Sequence, residues 1–300
     1  MAGDVYWGNT TLLLHCDDSS FTDSSTAGHS YSSISGVSLN TSNALFGAGA
    51  AYFDGTGTGL SFAHSDDFNL ATGDFFIEIA AEFPSLGNFC LFQKDQHYGS
   101  TFTSYSLFLK SDGSLTLSVG TGNTNTSAQD VSTSASVVTS GSYHRIAAGR
   151  YGSLLLIFVD GTLVQSVAQT ASPQDGGSPL VFGYFPSGGT NNDWKLVAYV
   201  DEIRITKGVA RKTAGYTVDS VAFPNSAAMF SGTILDASGS PVVRTVKAIR
   251  RDTGAFIASA TSNSSGVYSL TTNYAGEHDL ICLDSSGSLP DLILSRVTPV

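Results

Sequence analysis

Two glutamates in this chain have a spacing that can be compared with the carboxylate pair of a glycosidase. Glu78 and Glu82 lie on one face of an alternating segment, residues 75–83, whose odd positions are all apolar. Glycoside hydrolysis needs two carboxyl groups about 5 to 9.5 Å apart. A strand rises about 3.3 Å per residue, which puts these two about 13 Å apart. The pattern therefore predicts a solvated strand face and not a catalytic pair.

No other catalytic motif is present in the sequence. It contains no Gly-x-Ser-x-Gly elbow, no His-Glu-x-x-His and no phosphate-binding loop, and its six histidines are scattered without metal-ligand spacing. We therefore expect a protein that is not an enzyme and that requires no cofactor.

Four aromatic residues in predicted loops are candidates for ligand contact: Tyr98, Tyr184, Phe185 and Trp194. Aromatic rings could stack on the apolar faces of sugars. The same rings could also cap the core or bury against a neighbouring subunit, and the sequence leaves both interpretations open.

Composition and charge narrow the class of protein. Apolar residues make up 41% of the 300 residues and charged residues 13%, which is typical of a folded chain with a Ser-, Thr- and Gly-rich surface. The net charge is −11, and no basic run is interleaved with aromatics. An acidic surface repels phosphate backbones and anionic lipid, so we expect neither nucleic-acid binding nor membrane insertion.

The three cysteines and the first residues say little about compartment. Cys16, Cys90 and Cys282 lie in separate apolar runs, where we expect free, buried thiols. The sequence shows no signal peptide pattern and no apolar run of membrane-spanning length. We therefore expect a protein that folds and assembles in the cytoplasm of the cell that makes it.

Period-two alternation dominates the chain and predicts an all-β protein. Asp112-Gly113 and Asp160-Gly161 each join two alternating runs and predict β-hairpins. Many short strands with frequent turns indicate two packed antiparallel sheets. The pattern loosens near Pro224, after which shorter strands begin, so we place a domain boundary between residues 1–224 and residues 225–300.

The larger predicted domain resembles a known fold family at three places. They are Leu12–His15 with Phe21–Ser25, the stretch Phe46–Gly55, and the strand Val200–Arg211. These segments resemble the concanavalin A-like, laminin-G-like jelly rolls of bacteriophage virion proteins. The resemblance implies an antiparallel jelly-roll sandwich over residues 1–224.

Residues 225–300 resemble a second class of domain, the carboxypeptidase-regulatory-like or transthyretin-like β-sandwich. The resemblance lies in Ser231–Pro241 and Ser265–Leu270, and residues 291–300 are similar to the endings of phage proteins that carry this module. Both resemblances together imply a small immunoglobulin-like sandwich and a virion location.

The jelly-roll resemblance also implies a possible calcium site. In related jelly rolls an early loop acid and the Asp of the Asp-Glu-Ile-Arg strand can lie near each other, which corresponds to Asp23 and Asp201 here. Hard oxygen ligands of this kind suit Ca²⁺. The same two carboxylates could instead pair with neighbouring residues.

These observations favour a non-enzymatic bacteriophage virion protein, present in multiple copies, that binds a host glycan or receptor on the tail. The alternatives are a capsid decoration protein without ligand and, less favoured, a polysaccharide-degrading enzyme. Residues 1–224 carry a net charge of −10 and residues 225–300 only −1. We therefore predict that the second domain attaches to other virion proteins, through Arg244, Lys247, Arg250 and Arg251.

Overall fold

The computed structural model describes residues 3–70, 73–94, 104–120, 128–169, 175–185, 194–284 and 292–300. Within these ranges the chain is all-β, as predicted, and it forms two compact units. The larger unit is Asn9–Phe223, and the smaller one is Met1–Gly8 together with Pro224–Val300.

The first eight residues belong to the smaller unit, whereas the sequence assigned them to the larger. Asp4 forms a parallel bridge with Ala227. The backbone nitrogen of Asp4 donates to Ser226 O at 2.8 Å, and Ala228 N donates to Asp4 O at 3.1 Å. This pairing is long-range, so no local pattern could reveal it.

The larger unit contains seventeen of the described strands. They are β1 (Thr10–Leu14), β2 (Tyr31–Ser35), β3 (Val37–Asn40), β4 (Ala50–Asp54), β5 (Gly59–Phe62), β6 (Phe75–Glu82), β7 (Phe89–Lys94), β8 (Tyr105–Leu109), β9 (Leu115–Gly120), β10 (Ala128–Ser132), β11 (Tyr143–Tyr151), β12 (Leu154–Val159), β13 (Thr162–Ala168), β14 (Leu180–Phe182), β15 (Tyr184–Phe185), β16 (Trp194–Lys195) and β17 (Val197–Lys207). Short 3₁₀ helices span Trp7–Asn9 and Asp66–Phe68.

Two large antiparallel sheets form the sandwich. The eight-stranded sheet has the order β13-β12-β11-β6-β17-β4-β3, with β1 also paired to β17. The seven-stranded sheet has the order β10-β9-β8-β7-β14-β5-β2. Alternate side chains of both sheets, including Phe53, Phe62, Phe75 and Tyr105, fill one continuous core between them.

Strand β17 is the central strand of the eight-stranded sheet. One of its edges pairs with β6, and its other edge pairs first with β4 and then with β1. The ladder is irregular between Asp201 and Arg204, where Glu202 has a positive φ of 54°. Such a β-bulge re-aims the side chains around it.

The predicted hairpins are confirmed. β8 pairs with β9 across Asp112-Gly113, and β12 pairs with β13 across Asp160-Gly161. Asp160 and Gly161 have φ values of 49° and 78°, the two positive angles that a tight hairpin turn needs.

The segment after β17 crosses the outer face of the eight-stranded sheet. Tyr216 packs against Phe158 with the ring centroids 5.6 Å apart, and Phe158 lies in a second apolar cluster with Phe76 and Leu156. The face that carries Glu78 is therefore covered here, and the prediction of a solvated face was wrong for this residue.

The smaller unit is a β-sandwich of two sheets. Its strands are β18 (Met229–Thr233), β19 (Thr245–Arg250), β20 (Phe256–Thr261), β21 (Val267–Thr271), β22 (His278–Leu283) and β23 (Leu292–Val297). One sheet pairs β18 with β21, and the other has the order β20-β19-β22-β23. Phe230, Val246, Leu270 and Leu280 meet in the core between them.

In the part of the chain that the structure describes, no helix is long and apolar enough to cross a membrane.

The three cysteines are free thiols, of which Cys16 and Cys90 are buried as expected and Cys282 is half-buried.

Candidate ligand-binding face and buried charges

Three of the four predicted ligand-contact aromatics lie on one small hairpin. Tyr184 and Phe185 form β15, Trp194 begins β16, and Tyr98 lies outside the described residues. Phe185 and Trp194 both pack edge-on against Phe108 of the seven-stranded sheet, with centroid distances of 5.1 and 4.9 Å. The three side chains of the hairpin are half-buried, so part of each remains accessible to solvent.

A continuous row of mostly polar side chains crosses the outer face of the seven-stranded sheet. Each of the seven strands, from β2 at one edge to β10 at the other, contributes one residue that is paired with the residue on the next strand. We call them the polar row: Ser33, Ser61, Val181, Gln93, Ser106, Ser118 and Asp130. Phe108 lies two residues from Ser106 on the same strand face, so the aromatic hairpin borders the polar row.

The centre of the polar row is buried and contains hydroxyl groups without partners. Ser118 Oγ donates to Asp130 Oδ1 at 2.6 Å. Ser106 and the neighbouring Ser104 are at most 1% exposed, and among the described residues their Oγ atoms have no hydrogen-bond partner. A buried hydroxyl left unpaired costs about 1 to 3 kcal/mol.

Glu78 and Glu82 do not form a catalytic pair. Glu78 is 7% exposed, and its Oε2 lies 2.7 Å from Arg204 and 3.8 Å from Arg211. The Arg204 guanidinium also stacks on Phe223 at 3.6 Å from the ring centroid. Glu78 is therefore part of a buried ion pair. Glu82 lies four residues further along the same face of β6.

Acidic side chains cluster near the bulge of β17. Glu202 is 1% exposed, accepts the Phe223 backbone N–H at 2.8 Å and pairs with His15 Nδ1 at 2.8 Å. The hydrogen bond that His15 donates to the Glu202 carboxylate raises the pKa of His15. Asp201 is fully buried, and burial raises its pKa to about 6, although the backbone N–H groups of Leu45 and Phe46 donate to its Oδ2.

The proposed calcium ligands do not fit a shared cation site. Asp23 accepts four hydrogen bonds, from Leu13 N and Ser25 N at Oδ1 and from Ser25 Oγ and His29 N at Oδ2. Asp201 keeps a single unpartnered oxygen, Oδ1. Ca²⁺ takes 6 to 8 oxygen ligands, and this pair offers one. The hydrogen bonds that Asp23 accepts from Ser25 and His29 instead stabilise the loop that follows it.

A second group of potential metal ligands already holds an internal cation. His64, Asp66 and Asp175 bring ligand atoms within 4.8 Å of one another. Lys94, which is fully buried, places its Nζ 2.8 Å from Asp175 Oδ1 and 3.5 Å from His64 Nδ1. The Lys94 ammonium therefore already contacts two of these three groups, Asp175 and His64.

The four basic residues predicted to bind a partner are largely paired within their own unit. Arg244 contacts Asp284 at 3.2 Å, Arg250 contacts Asp252 at 2.7 Å, and Arg251 contacts Asp279 at 2.8 Å. Among the described residues Lys247 alone of the four has no such pair. A partner could use the arginines only by displacing these carboxylates.

Comparisons with known proteins agree with the fold. Residues 54–213 match the sequence profile of the Concanavalin A-like lectin/glucanases superfamily. This match covers more than half of the chain, and the chain belongs to that family. A search of curated protein sequences found no match.

Several solved structures are similar to this chain at low sequence identity. The binding domain of Paraclostridial Mosquitocidal Protein 1 is 14% identical over 97% of this chain and 76% of that chain, with a TM-score of 0.54. The receptor-binding domain of botulinum neurotoxin type G is 12% identical over 97% and 70% (TM-score 0.48). Domain 4 of a GH43 arabinanase from Geobacillus stearothermophilus, solved with arabinotriose, is 13% identical over 67% and 93% (TM-score 0.47). The first of these shows a shared fold.

Proposed function

We propose that this chain is a non-enzymatic glycan-binding protein and that the polar row is its binding face. The observation that carries the proposal is the continuous polar row itself, which contains the buried hydroxyl of Ser106 beside that of Ser104, neither with a partner among the described residues. A protein that only needed stability would gain by replacing them with alanine, because an unpaired buried hydroxyl is unfavourable.

The chemistry of the row suits sugars. Serine hydroxyls and the Gln93 amide can both donate and accept, as sugar hydroxyls do, and Asp130 offers a carboxylate at the exposed end. The half-buried rings of Phe185 and Trp194 border the row and can cover the apolar face of a sugar. The lectin and glucanase family to which the chain belongs supports this assignment, although fold alone does not determine function.

The glucanase alternative finds less support. The glutamates of β6 do not form a catalytic pair, because Glu78 is engaged by Arg204 and Arg211. Glu78→Gln is therefore expected to leave glycan binding unchanged, and the wild-type protein is expected to release no reducing ends from bacterial polysaccharides.

A glycan array probed with the full-length protein tests the proposal. Ser106→Ala is the variant, and Thr11→Val is its matched control, because Thr11 Oγ1 is also buried without a partner but lies on β1 of the other sheet. We expect array binding that Ser106→Ala weakens and Thr11→Val does not. An array without any specific binding, or equal binding by both variants, would contradict the proposal and favour a structural role without ligand.

We further propose that the protein is a bacteriophage virion component that presents this face outward. The support is the sequence resemblance of Val200–Arg211 and of the C-terminal module to phage proteins. The near-neutral smaller unit, with Lys247 and its neighbouring arginines, is the proposed attachment surface to other virion proteins. Detection of the protein by mass spectrometry in purified particles tests the location, and loss of incorporation on Lys247→Glu tests the surface.

A further inference from the structure

The outer face of the eight-stranded sheet carries a second row of side chains, at the end that residues 211–223 leave accessible. Tyr52, Tyr199, Glu82 and Tyr143 are consecutive cross-strand neighbours on β4, β17, β6 and β11. All four are half-buried. We call this row the tyrosine slot.

The rings of the slot stand upright from the sheet. The Tyr52 and Tyr199 ring centroids are 4.8 Å apart with an interplanar angle of 29°. Neighbouring strands lie about 4.8 Å apart, which matches this centroid distance, so the two rings stack face to face between β4 and β17. The other face of Tyr199 is therefore turned toward Glu82 on the next strand.

Tyr143 lies directly across β6 from Tyr199, and its hydroxyl donates to Asn43 O at 2.5 Å, which anchors the side chain. Two strand spacings put the backbones that carry Tyr199 and Tyr143 about 9.6 Å apart, with Glu82 between them.

The charge of the slot is negative and unbalanced. Within the described residues no hydrogen bond or ion pair engages the Glu82 carboxylate. Burial raises the pKa of Tyr143, and the charges of Asp201 and Glu82 raise it further. Arg145, two residues from Tyr143 on the same strand face, stacks over the Phe46 ring and donates to Asp219 O.

We propose that the tyrosine slot binds a ligand that presents an organic ammonium group. An ammonium beside the Glu82 carboxylate would meet the free face of the Tyr199 ring, within the roughly 6 Å range of cation–π attraction, and Tyr143 flanks the same position on the next strand. A neutral sugar could use the rings but would leave the negative charge of Glu82 unpaired, and an anionic group would be repelled. The slot is on the opposite sheet from the polar row, so this assignment is independent of the proposed glycan-binding function.

The test compares choline with its uncharged isostere 3,3-dimethylbutan-1-ol by NMR titration of the full-length protein. We expect choline to bind at least about tenfold more tightly than the isostere, because only choline carries the charge that the carboxylate and rings attract. Glu82→Gln should remove this preference, and Tyr199→Leu should weaken choline binding. Glu277→Gln, an exposed glutamate of the smaller unit, is the matched control and should leave it unchanged.

Several outcomes would overturn the assignment. They are equal affinity for choline and the isostere, no saturable choline binding by the folded wild-type protein, and a Glu82→Gln variant that retains the wild-type preference. Glu82 makes no polar contact that folding depends on, so the variant is expected to fold, and its circular dichroism spectrum checks this. The choline titration can show no binding while the glycan array shows binding that depends on Ser106, so the two proposals can be tested separately.

Discussion

Replacing the buried carboxyl of Asp201 with an amide should change how the stability of the protein depends on pH. Asp201 is fully buried, and only its Oδ2 accepts hydrogen bonds, from Leu45 N and Phe46 N. In Asp201→Asn the side-chain oxygen can still accept both of these bonds, while the charge is lost. The substitution therefore isolates the effect of the buried charge.

The size of the effect follows from the pKa. Burial raises the pKa of Asp201 from an ordinary value of 3.8 to about 6. Between these pH values the folded state binds the proton more tightly than the unfolded state, so the free energy of unfolding falls as pH rises. A pKa difference of about 2, at about 1.4 kcal/mol each, gives a loss of up to about 3 kcal/mol, complete above pH of about 6. The asparagine variant should not show this loss.

Urea unfolding of both proteins between pH of about 4 and 7.5 measures the effect. We expect the variant to gain up to about 3 kcal/mol relative to wild type across this range. Asp54→Asn is the control, because Asp54 is exposed and hydrogen bonds from Thr56 lower its pKa below 3.8, so that it titrates below this pH range. The stability difference between that variant and wild type should therefore stay nearly constant from pH of about 4 to 7.5. If the free energy of unfolding depends on pH in the same way for wild type and Asp201→Asn, the argument is refuted, because the buried charge would then not destabilise the native state.

Three further predictions follow from the larger unit. Ser106→Ala should leave the free energy of unfolding unchanged or raise it by about 1 kcal/mol, because it removes an unpaired hydroxyl; a loss above about 1 kcal/mol in urea titrations would show that the hydroxyl has a partner. Glu78→Ala should destabilise by about 3 to 5 kcal/mol, because Arg204 stays buried without its partner, whereas Glu82→Ala should have little effect in the same assay. Chelating calcium should leave the melting temperature unchanged, since the Asp23 oxygens are already occupied, and a calcium-dependent rise in a thermal melt would contradict this.

Local sequence was a good guide wherever local chemistry determines the structure. The Asp160-Gly161 hairpin was predicted because few residue pairs accept two positive φ angles. The Asp112-Gly113 hairpin was predicted in the same way, and β8 and β9 pair across it. Strand β23 has no such local signal, because Leu292, Ile293 and Leu294 are all exposed and show no alternation.

The candidate sites could not be predicted in the same way. The polar row and the tyrosine slot exist only through the register of many strands, which no single segment encodes. The burial of Glu78 depends on Tyr216 and Phe223, which lie far along the chain and return over the same face. The alternation identified the correct face of β6 but not what covers it.

The position of β17 in the eight-stranded sheet has a consequence for biosynthesis. This central strand pairs with β1, so that Thr206 meets Thr10 and Ile203 meets Leu14 across almost the full length of the larger unit. A nascent chain that ends before Val197 has β1, β4 and β6 but lacks the strand that joins them. The sheet can therefore close only after residue 207 has left the ribosome, and high contact order makes this a slow step. Until then one edge of β4 and one edge of β6 remain unpaired, and unpaired strand edges of this kind are prone to aggregation.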